Sequence, residues 1–564
     1  MLWRPLHGRR EMRGLSKILL ALVIGSSGAH AKGSDTLLIG RIYPTATTTE
    51  PVAALAWDAE GRVLAKGSAE SVRALLEERG NAVRELVQDG AVIPGLIDAH
   101  GHLMGLGESL MQADLVGTLG HDQIIERLRA KAADLPDGAW LLGRGWDQND
   151  WAVAEFPSAA DLDREFPERP VWLERVDGHA GWANSAALRA AGIDRDTPDP
   201  EGGRLLRDAN GAPTGVLIDN AMSLVGRKLP APDRAWQRRA LRAALEAAVA
   251  AGLTGVHDAG VSREGLALYR ELADDAALPL RVYAMADGAS GALDDLCRDG
   301  LYRHPGGRLE MRAVKLYADG ALGSRGAALL ADYADEPGNR GLLVEASERL
   351  AAIIRRAAGC GVQPAVHAIG DRANRAVLDA YASLTPEQRR ALRPRVEHAQ
   401  VVDPDDIPRF AALGVIASMQ PTHATSDMPW AEKRVGASRL RGAYAWRRFL
   451  DSGAALALGS DFPVERVEPL LGLYAAVSRQ DAEGKPAGGW LPDQRMTLAE
   501  AIDGFTRGAA FAGHAEGEVG TLEAGKRADF VVLATDPFRL RGRGLLALKI
   551  QSTWVDGERV WPKR

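Results

Sequence analysis

The chain has 564 residues, too many for one compact unit of ordinary size, so a large core domain with appended or inserted pieces is expected. Hydrophobic residues at 46% and charged residues at 26% are ordinary globular values and exclude a disordered or fibrous protein. A formal net charge of −6 argues against nucleic acid as a partner.

In chain order, the first segment reads differently from the rest. Arg4, Arg9, Arg10, Arg13 and Lys17 precede the apolar run from Ile18 to Ile24, and Ala29-His30-Ala31 follows. These are the three parts of a secretory signal peptide over residues 1–31, with the cut expected after Ala31. The run is shorter than the ~20 residues of a membrane-spanning helix, and no later stretch is long and apolar enough, so the mature protein is expected off the membrane, in the periplasm or the medium. An uncleaved anchor is the alternative. Arg9-Arg10 also admits a twin-arginine signal, which Glu11-Met12-Arg13 fits poorly. Without residues 1–31, which hold five basic residues and one acidic, the charge becomes −10.

Strand-like segments come next at Thr36–Gly40, Ala53–Trp57 and Arg62–Ala65, matched near the other end by Asp529–Leu533 and Ser552–Val555. Neither set makes a stable sheet alone, so residues 32–92 and 516–564 are expected to join in one small composite β-sandwich. Between them, over 93–515, lie eight short β-rich runs ending in polar or titratable residues. They are Val92–Asp98 leading to His100, Leu253–Asp258, Leu280–Met285, Met311–Tyr317, Gln363–His367, Arg395–His398, Gly414–Met419 and Ala455–Asp461. Helical segments such as 236–251 and 345–359, the latter with Leu350, Ile353, Ile354 and Ala357 at helical spacing, separate them. A (β/α)₈ TIM barrel has about 31 residues per unit; here His367 to His398 is 31 residues and His398 to Asp461 is 63. The fold class is therefore α/β, a TIM barrel. The 153 residues from His100 to Leu253 break the register, which implies an inserted α/β subdomain over about 110–235, with a helix at 122–134 and a strand at 169–174.

Cys297 and Cys360 are the only cysteines and stand at unrelated positions. Neither a disulfide framework nor a thiolate metal site is indicated, and a single bridge stays open for an oxidising compartment.

His100-Gly101-His102 is the strongest local signal: two histidines one residue apart on an extended strand share a face, and neutral imidazole is a good ligand for zinc and similar ions. Alone, the pair is as readily two loop histidines. His367, His398 and Asp461, however, fall at the ends of strands five, six and eight, and Lys315 in strand four, so all converge on one barrel mouth. Singly, each has a structural explanation: a hydrogen-bonded core histidine, a turn cap at Asp461, a solvent-facing lysine. Six in barrel register are hard to attribute to chance.

Taken in order, Pro94–His102, Gly145-Trp146-Asp147, Asp177-Gly178-His179, Lys315–Gly320, His367–Asp371, Glu397–Gln400, Gly459-Ser460-Asp461 and Gly525–Asp529 resemble the amidohydrolase superfamily. Within it they are similar to the amidohydrolase-3 group that includes N-substituted formamide deformylase-like proteins. The resemblance covers nearly the whole mature chain. It implies that His100, His102 and Asp461 bind the more buried metal ion, His367 and His398 a second, and a carbamylated Lys315 bridges both. An unmodified Lys315 would leave a one-metal site. The implied cofactor is thus one or two divalent ions, with zinc as the expectation. The implied reaction is hydrolysis of a C–N, amide-like bond of a small molecule by metal-activated water. Asp461 would take the proton of that water and deliver it to the leaving nitrogen, and His398 or His179 would stabilise the oxyanion. His179, Trp146 and Trp182 of the insertion, Gln420, His423 and Trp430 after strand seven, and Arg325, as partner of a substrate carboxylate, are candidates for substrate binding; core packing of the tryptophans and a surface salt bridge for Arg325 are the alternatives.

A cyclic-amide hydrolase, deaminase or dipeptidase would share this barrel chemistry, because specificity lies in the loops. A non-catalytic scaffold would be expected to have lost some of the ligands, and a solute-binding protein would show two similar lobes. A homo-oligomer is compatible with the sequence.

Overall fold

The computed structural model describes residues 33–563 apart from 49, 149–150, 154, 176–179, 201–202, 220, 231–232 and 324. The expected signal segment lies outside them. Eight strands form the central barrel: β1 (Leu96–Gly101), β2 (Leu253–Val261), β3 (Arg281–Asp287), β4 (Leu309–Tyr317), β5 (Gln363–Ala368), β6 (Arg395–His398), β7 (Ile416–Met419) and β8 (Leu456–Leu458). Neighbours pair in parallel in sequence order from β1 to β8. These are the eight runs expected from the sequence. Strands covered on both faces need no polar side, which is why β2 is buried at nearly every position.

The barrel closes where the chain leaves β8. Ser460 N donates to the Asp98 carboxylate at 3.1 Å, Asp461 N to the His100 carbonyl at 2.7 Å, and His102 N to the Phe462 carbonyl at 2.8 Å. Outer helices turn one stripe inward: Ser347–Gly359 buries Leu350, Ile354, Ala357 and Ala358 at helical spacing. Inside, Ala259, Tyr283, Met285, Ala313 and Ala365 fill a buried layer. Ala313 and Ala365 lie two residues before Lys315 and His367 on the same strand faces, so this layer is the floor of the mouth.

Segments from both ends of the chain join in one seven-stranded sheet. Its order is Glu558–Trp561, Ile550–Val555, Phe530–Leu533, Val83–Pro94, Asp35–Ile42, Val52–Trp57, Val63–Gly67. The long strand Val83–Pro94 is the joint: it pairs with Asp35–Ile42 along most of its length and with Phe530–Leu533 at its end, then runs through Gly95 into β1. Arg281, at the start of β3, clamps this sheet to the barrel by hydrogen bonds to Asp529 (2.7 Å) and Asp556 (2.5 Å).

The interval between β1 and β2 holds a six-stranded sheet ordered Gly203–Arg207, Pro213–Asp219, Ala180–Ala183, Val171–Arg175, Leu141–Trp146, Ala113–Asp114. The expected helix appears at His121–Ala132. The helix Arg234–Ala250 returns the chain to β2 and crosses Leu103–Met111 where Gly107 leaves no room for a side chain, its ideal Cβ position being 2.2 Å from the Ala240 carbonyl oxygen.

Cys297, on the helix after β3, and Cys360, capping the helix before β5, form a disulfide. Spacing in sequence gave no sign of it because it joins two outer helices of the barrel that are neighbours only in the fold. Among the described residues, no helix is long and apolar enough to cross a membrane.

Candidate metal centre

Strand alternation decides which side chains enter the barrel. It turns Asp98 and His100 inward on β1, Lys315 and Tyr317 on β4, His367 on β5, and Arg395 and Glu397 on β6. His398, one residue beyond Glu397, would by the same rule point outward. Its backbone has left the strand region instead, with φ at 75° followed by 42° at Ala399, and this swings the imidazole to the mouth. Asp461, just past β8, has φ at 64°. Non-glycine residues in this region cost of order 1–3 kcal/mol each and persist where the surroundings enforce them. Two of the six expected ligands are therefore presented by strained backbone.

The hydrogen bonds on the far side of each ring fix the proton. His100 Nδ1 lies 2.5 Å from Glu397 Oε2, His102 Nδ1 2.9 Å from the Ala259 carbonyl oxygen, and His398 Nδ1 2.8 Å from Gln420 Oε1. All three partners are acceptors, so each Nδ1 carries a proton and each neutral ring is left with a lone pair on Nε2. The Nε2 atoms face one another's neighbourhood: His100 Nε2 is 3.0 Å from Lys315 Nζ and 3.7 Å from Asp461 Oδ1, and His102 Nε2 is 3.0 Å from Asp461 Oδ1. His367 and His398 have ring centres 4.6 Å apart, His100 and His398 4.8 Å.

Electrostatics favours the neutral form of His100, His367 and His398. Burial, with the Lys315 charge, lowers His100 to about 4 and His367 to about 3. Burial and His367 lower His398 well below the ordinary histidine range. Burial also lowers Lys315.

These residues fit a divalent cation. Ligand atoms of His100, His398 and Asp461 lie within 4.8 Å of one another, all three residues buried. Asp461 Oδ1, His367 Nε2 and His423 Nε2 are buried with no hydrogen-bond partner among the described residues. A buried, unpartnered carboxylate oxygen beside the Nε2 lone pairs of His100 and His398 is an acceptor set that a cation satisfies.

All six expected ligands thus meet at one place. Of the expected substrate-binding residues, Trp146 is wholly buried in the insertion core against Trp151 and Trp182, with Nε1 bonded to the Leu173 carbonyl, which is the core packing given as its alternative. Arg325 is engaged by Asp335 and Glu336, each at 3.0 Å, the surface salt bridge named as its alternative. His179 lies outside the described residues. Trp182 also belongs to the insertion core, whereas His423 reaches the site with Nε2 3.5 Å from Asp461 Oδ2.

Sequence reasoning passed over the residues behind the ligands. Asp98 accepts from the His100 backbone and from Ser460 N and Oγ, and burial pushes it up to about 7. Asp258 accepts from Leu103 N and the Tyr269 hydroxyl. Glu397 and Arg395 are fully buried beside His100. The available signal was a charged residue at an inward position of an otherwise apolar strand, two residues from another.

A family model described as amidohydrolase family matches residues 88–561. The chain belongs to the amidohydrolase family. A Bacillus subtilis (strain 168) protein named as an amidohydrolase, YtcJ, is 37% identical over 517 residues, 89% of this chain and 95% of that one. N-substituted formamide deformylase of Arthrobacter pascens is 30% identical, over 84% of this chain and 88% of that one. Among solved structures, an uncharacterized metal-dependent hydrolase from Pyrococcus horikoshii OT3 superposes with a TM-score of 0.76 at 29% identity, covering 91% of this chain and 99% of the other. This amidohydrolase-family chain is a metal-dependent hydrolase.

Proposed function

We propose that the protein hydrolyses a carbon–nitrogen bond other than a peptide bond, in a small amide-like molecule, with zinc held by His100, His102 and Asp461 and a second ion, where Lys315 is carbamylated, by His367 and His398. The observation that carries this reading is the set of Nε2 lone pairs, each fixed by an acceptor at Nδ1, converging on Asp461. A nitrogen-rich donor set with one carboxylate suits zinc. When bound, the ion supplies Lewis acidity and brings the pKa of a water in the site to about 7.

The chain's own groups do the rest. Asp461 takes the proton of the attacking water at a carboxylate oxygen and returns it to the leaving nitrogen, without which an amide nitrogen departs poorly. His398, held by Gln420, stays neutral and in place beside it. Lys315 is buried, 3.0 Å from His100 Nε2, and burial lowers its pKa. As the free amine, Lys315 would add carbon dioxide, releasing one proton, to give a carbamate whose two oxygens could serve as anionic metal ligands. Metal analysis and a hydrolysis screen of N-formyl and N-acyl amines, cyclic amides and dipeptides test the reading. Bound divalent metal, and turnover that rises with zinc, manganese or cobalt, are expected; neither metal nor gain overturns it. Recovery of activity with metal plus bicarbonate, exceeding that with metal alone, tests the carbamate, and a bare amine at full activity refutes it.

Export is proposed from the N-terminal pattern and supported by the Cys297–Cys360 disulfide, which belongs in an oxidising compartment. Fractionation with N-terminal sequencing is expected to find a chain starting at Lys32 outside the cytoplasm; a full-length, reduced cytoplasmic protein overturns this.

A further inference from the structure

Behind His100 the barrel interior contains a charged pair where packed apolar side chains would be expected. Arg395 and Glu397 project from the same face of β6 and are both fully buried. The guanidinium is a hub. Nε donates to Glu397 Oε1 at 2.8 Å, Nη2 to Glu397 Oε2 at 3.0 Å, to the Ala99 carbonyl at 2.7 Å and to Ser418 Oγ at 2.9 Å, and Nη1 to His257 Nδ1 at 2.8 Å. One side chain therefore ties together β1, β2, β6 and β7. Lysine, with a single ammonium, has no fork to do this.

Glu397 passes the constraint on. Its Oε1 is committed to Arg395, and its Oε2 accepts from both Arg395 and His100 Nδ1. Two charge-assisted hydrogen bonds from the Arg395 guanidinium, one to each oxygen, suit a carboxylate in this position. A carboxylate in that position does three things to His100. It fixes the ring plane, it fixes the tautomer with the lone pair on Nε2, and its charge makes that lone pair a stronger donor.

We infer that Arg395 and Glu397 form a positioning pair for His100, holding it as a preorganised, strongly donating ligand; the inference rests on the metal-site reading above. A buried ion pair is weak as a source of stability, because desolvation offsets its attraction. Its use here is orientation of a ligand.

The test uses the full-length mature protein with zinc and cobalt. Glu397→Gln keeps the shape and an acceptor for Nδ1 but removes the charge. The double variant R395M/E397Q removes both charges, so that no guanidinium is left unpaired. Both are expected to bind zinc about 10- to 100-fold more weakly than wild type and to shift the visible spectrum of the cobalt form. Arg395→Lys is expected to fall between. Folded variants whose zinc affinity stays within about twofold of wild type overturn the proposal. Where a variant does not fold, the wild-type apo-protein labelled with ¹⁵N-histidine decides: Nδ1–H on His100 is expected, and Nε2–H refutes the inference. Wild-type protein that binds no metal would instead refute the metal-site reading, leaving the ¹⁵N result to report on the pair by itself.

Discussion

The Nε2 nitrogen of His102 stands 3.0 Å from Oδ1 of Asp461, with the ring's other nitrogen turned to the Ala259 carbonyl. A lone pair facing a carboxylate oxygen is repulsive unless one cation is shared by both, so the two residues would be neighbouring corners of a binding point. They need not contribute equally. His100→Ala deletes a neutral nitrogen donor and is expected to lose bound metal and activity together. Asp461→Asn keeps an oxygen with a lone pair but loses the proton acceptor, so kcat is expected to fall about 10²–10⁴-fold with metal content near wild type. Elemental analysis beside steady-state kinetics checks this; equal metal loss in both variants would contradict the division of roles.

Gly459 sits where β8 presses on β1. A Cβ there would lie 2.5 Å from Asp98 Oδ1 and 2.6 Å from His100 N. Both are held by the hydrogen bonds that close the barrel and neither yields freely. Gly459→Ala is expected to force the strands apart, costing about 1–3 kcal/mol of stability and weakening metal binding at His100. Gly359→Ala, where nothing lies within 4 Å, serves as the control and is expected to be neutral. Similar melting temperatures for the two variants would show that the seam gives way easily.

The barrel was legible because its strand ends carry chemistry at a fixed interval: His367, His398 and Asp461 mark β5, β6 and the exit of β8 by residue type and spacing alone. The second layer was not. Arg395 meets Ala99, His257 and Ser418 only because three other strands bring them there. The same holds for Cys297 and Cys360, which are 63 residues apart in sequence and bonded in space. Trp146 was open to two readings for a different reason: a tryptophan in a motif near a site reads as pocket wall or as core, and the six-stranded inserted sheet has a core to which Trp146, Trp151 and Trp182 belong. Pattern reports which residues share a strand face; it does not report which faces meet.

The disulfide closes a loop with a sequence separation of 63 residues. In the chain-entropy model such a crosslink restricts the unfolded ensemble by up to ~4 kcal/mol. Reduction, or Cys297→Ala with Cys360→Ala, is expected to lower the urea midpoint, most of all for the barrel helices it joins. Thiol titration of the denatured protein should find two thiols only after reduction. An unchanged midpoint at full reduction would assign the bridge no part in stability.

Glu500 gives the chain an acid-sensitive tie that is separate from the metal site. It is the third residue of the helix Leu498–Asp503, completes a capping box with Thr497, and takes both guanidinium arms of Arg447, at 2.9 and 2.5 Å. Arg447, above all, lowers its carboxyl from 4.5 to about 2, against the effect of burial and with the help of Thr497. The folded-state value is depressed, so the contribution is complete above the ordinary glutamate range and is lost as the pH falls from 4.5 toward 2. The pair is about a third open to water, so screening leaves about 1–2 kcal/mol of the full effect. Glu500→Gln preserves the cap and removes the charge. It is expected to be less stable than wild type by that amount near neutral pH, with the gap narrowing between about pH 5 and pH 3. Urea denaturation of both proteins across that range measures the gap. A constant difference would mean that Glu500 stabilises by packing and capping, with no contribution from its charge.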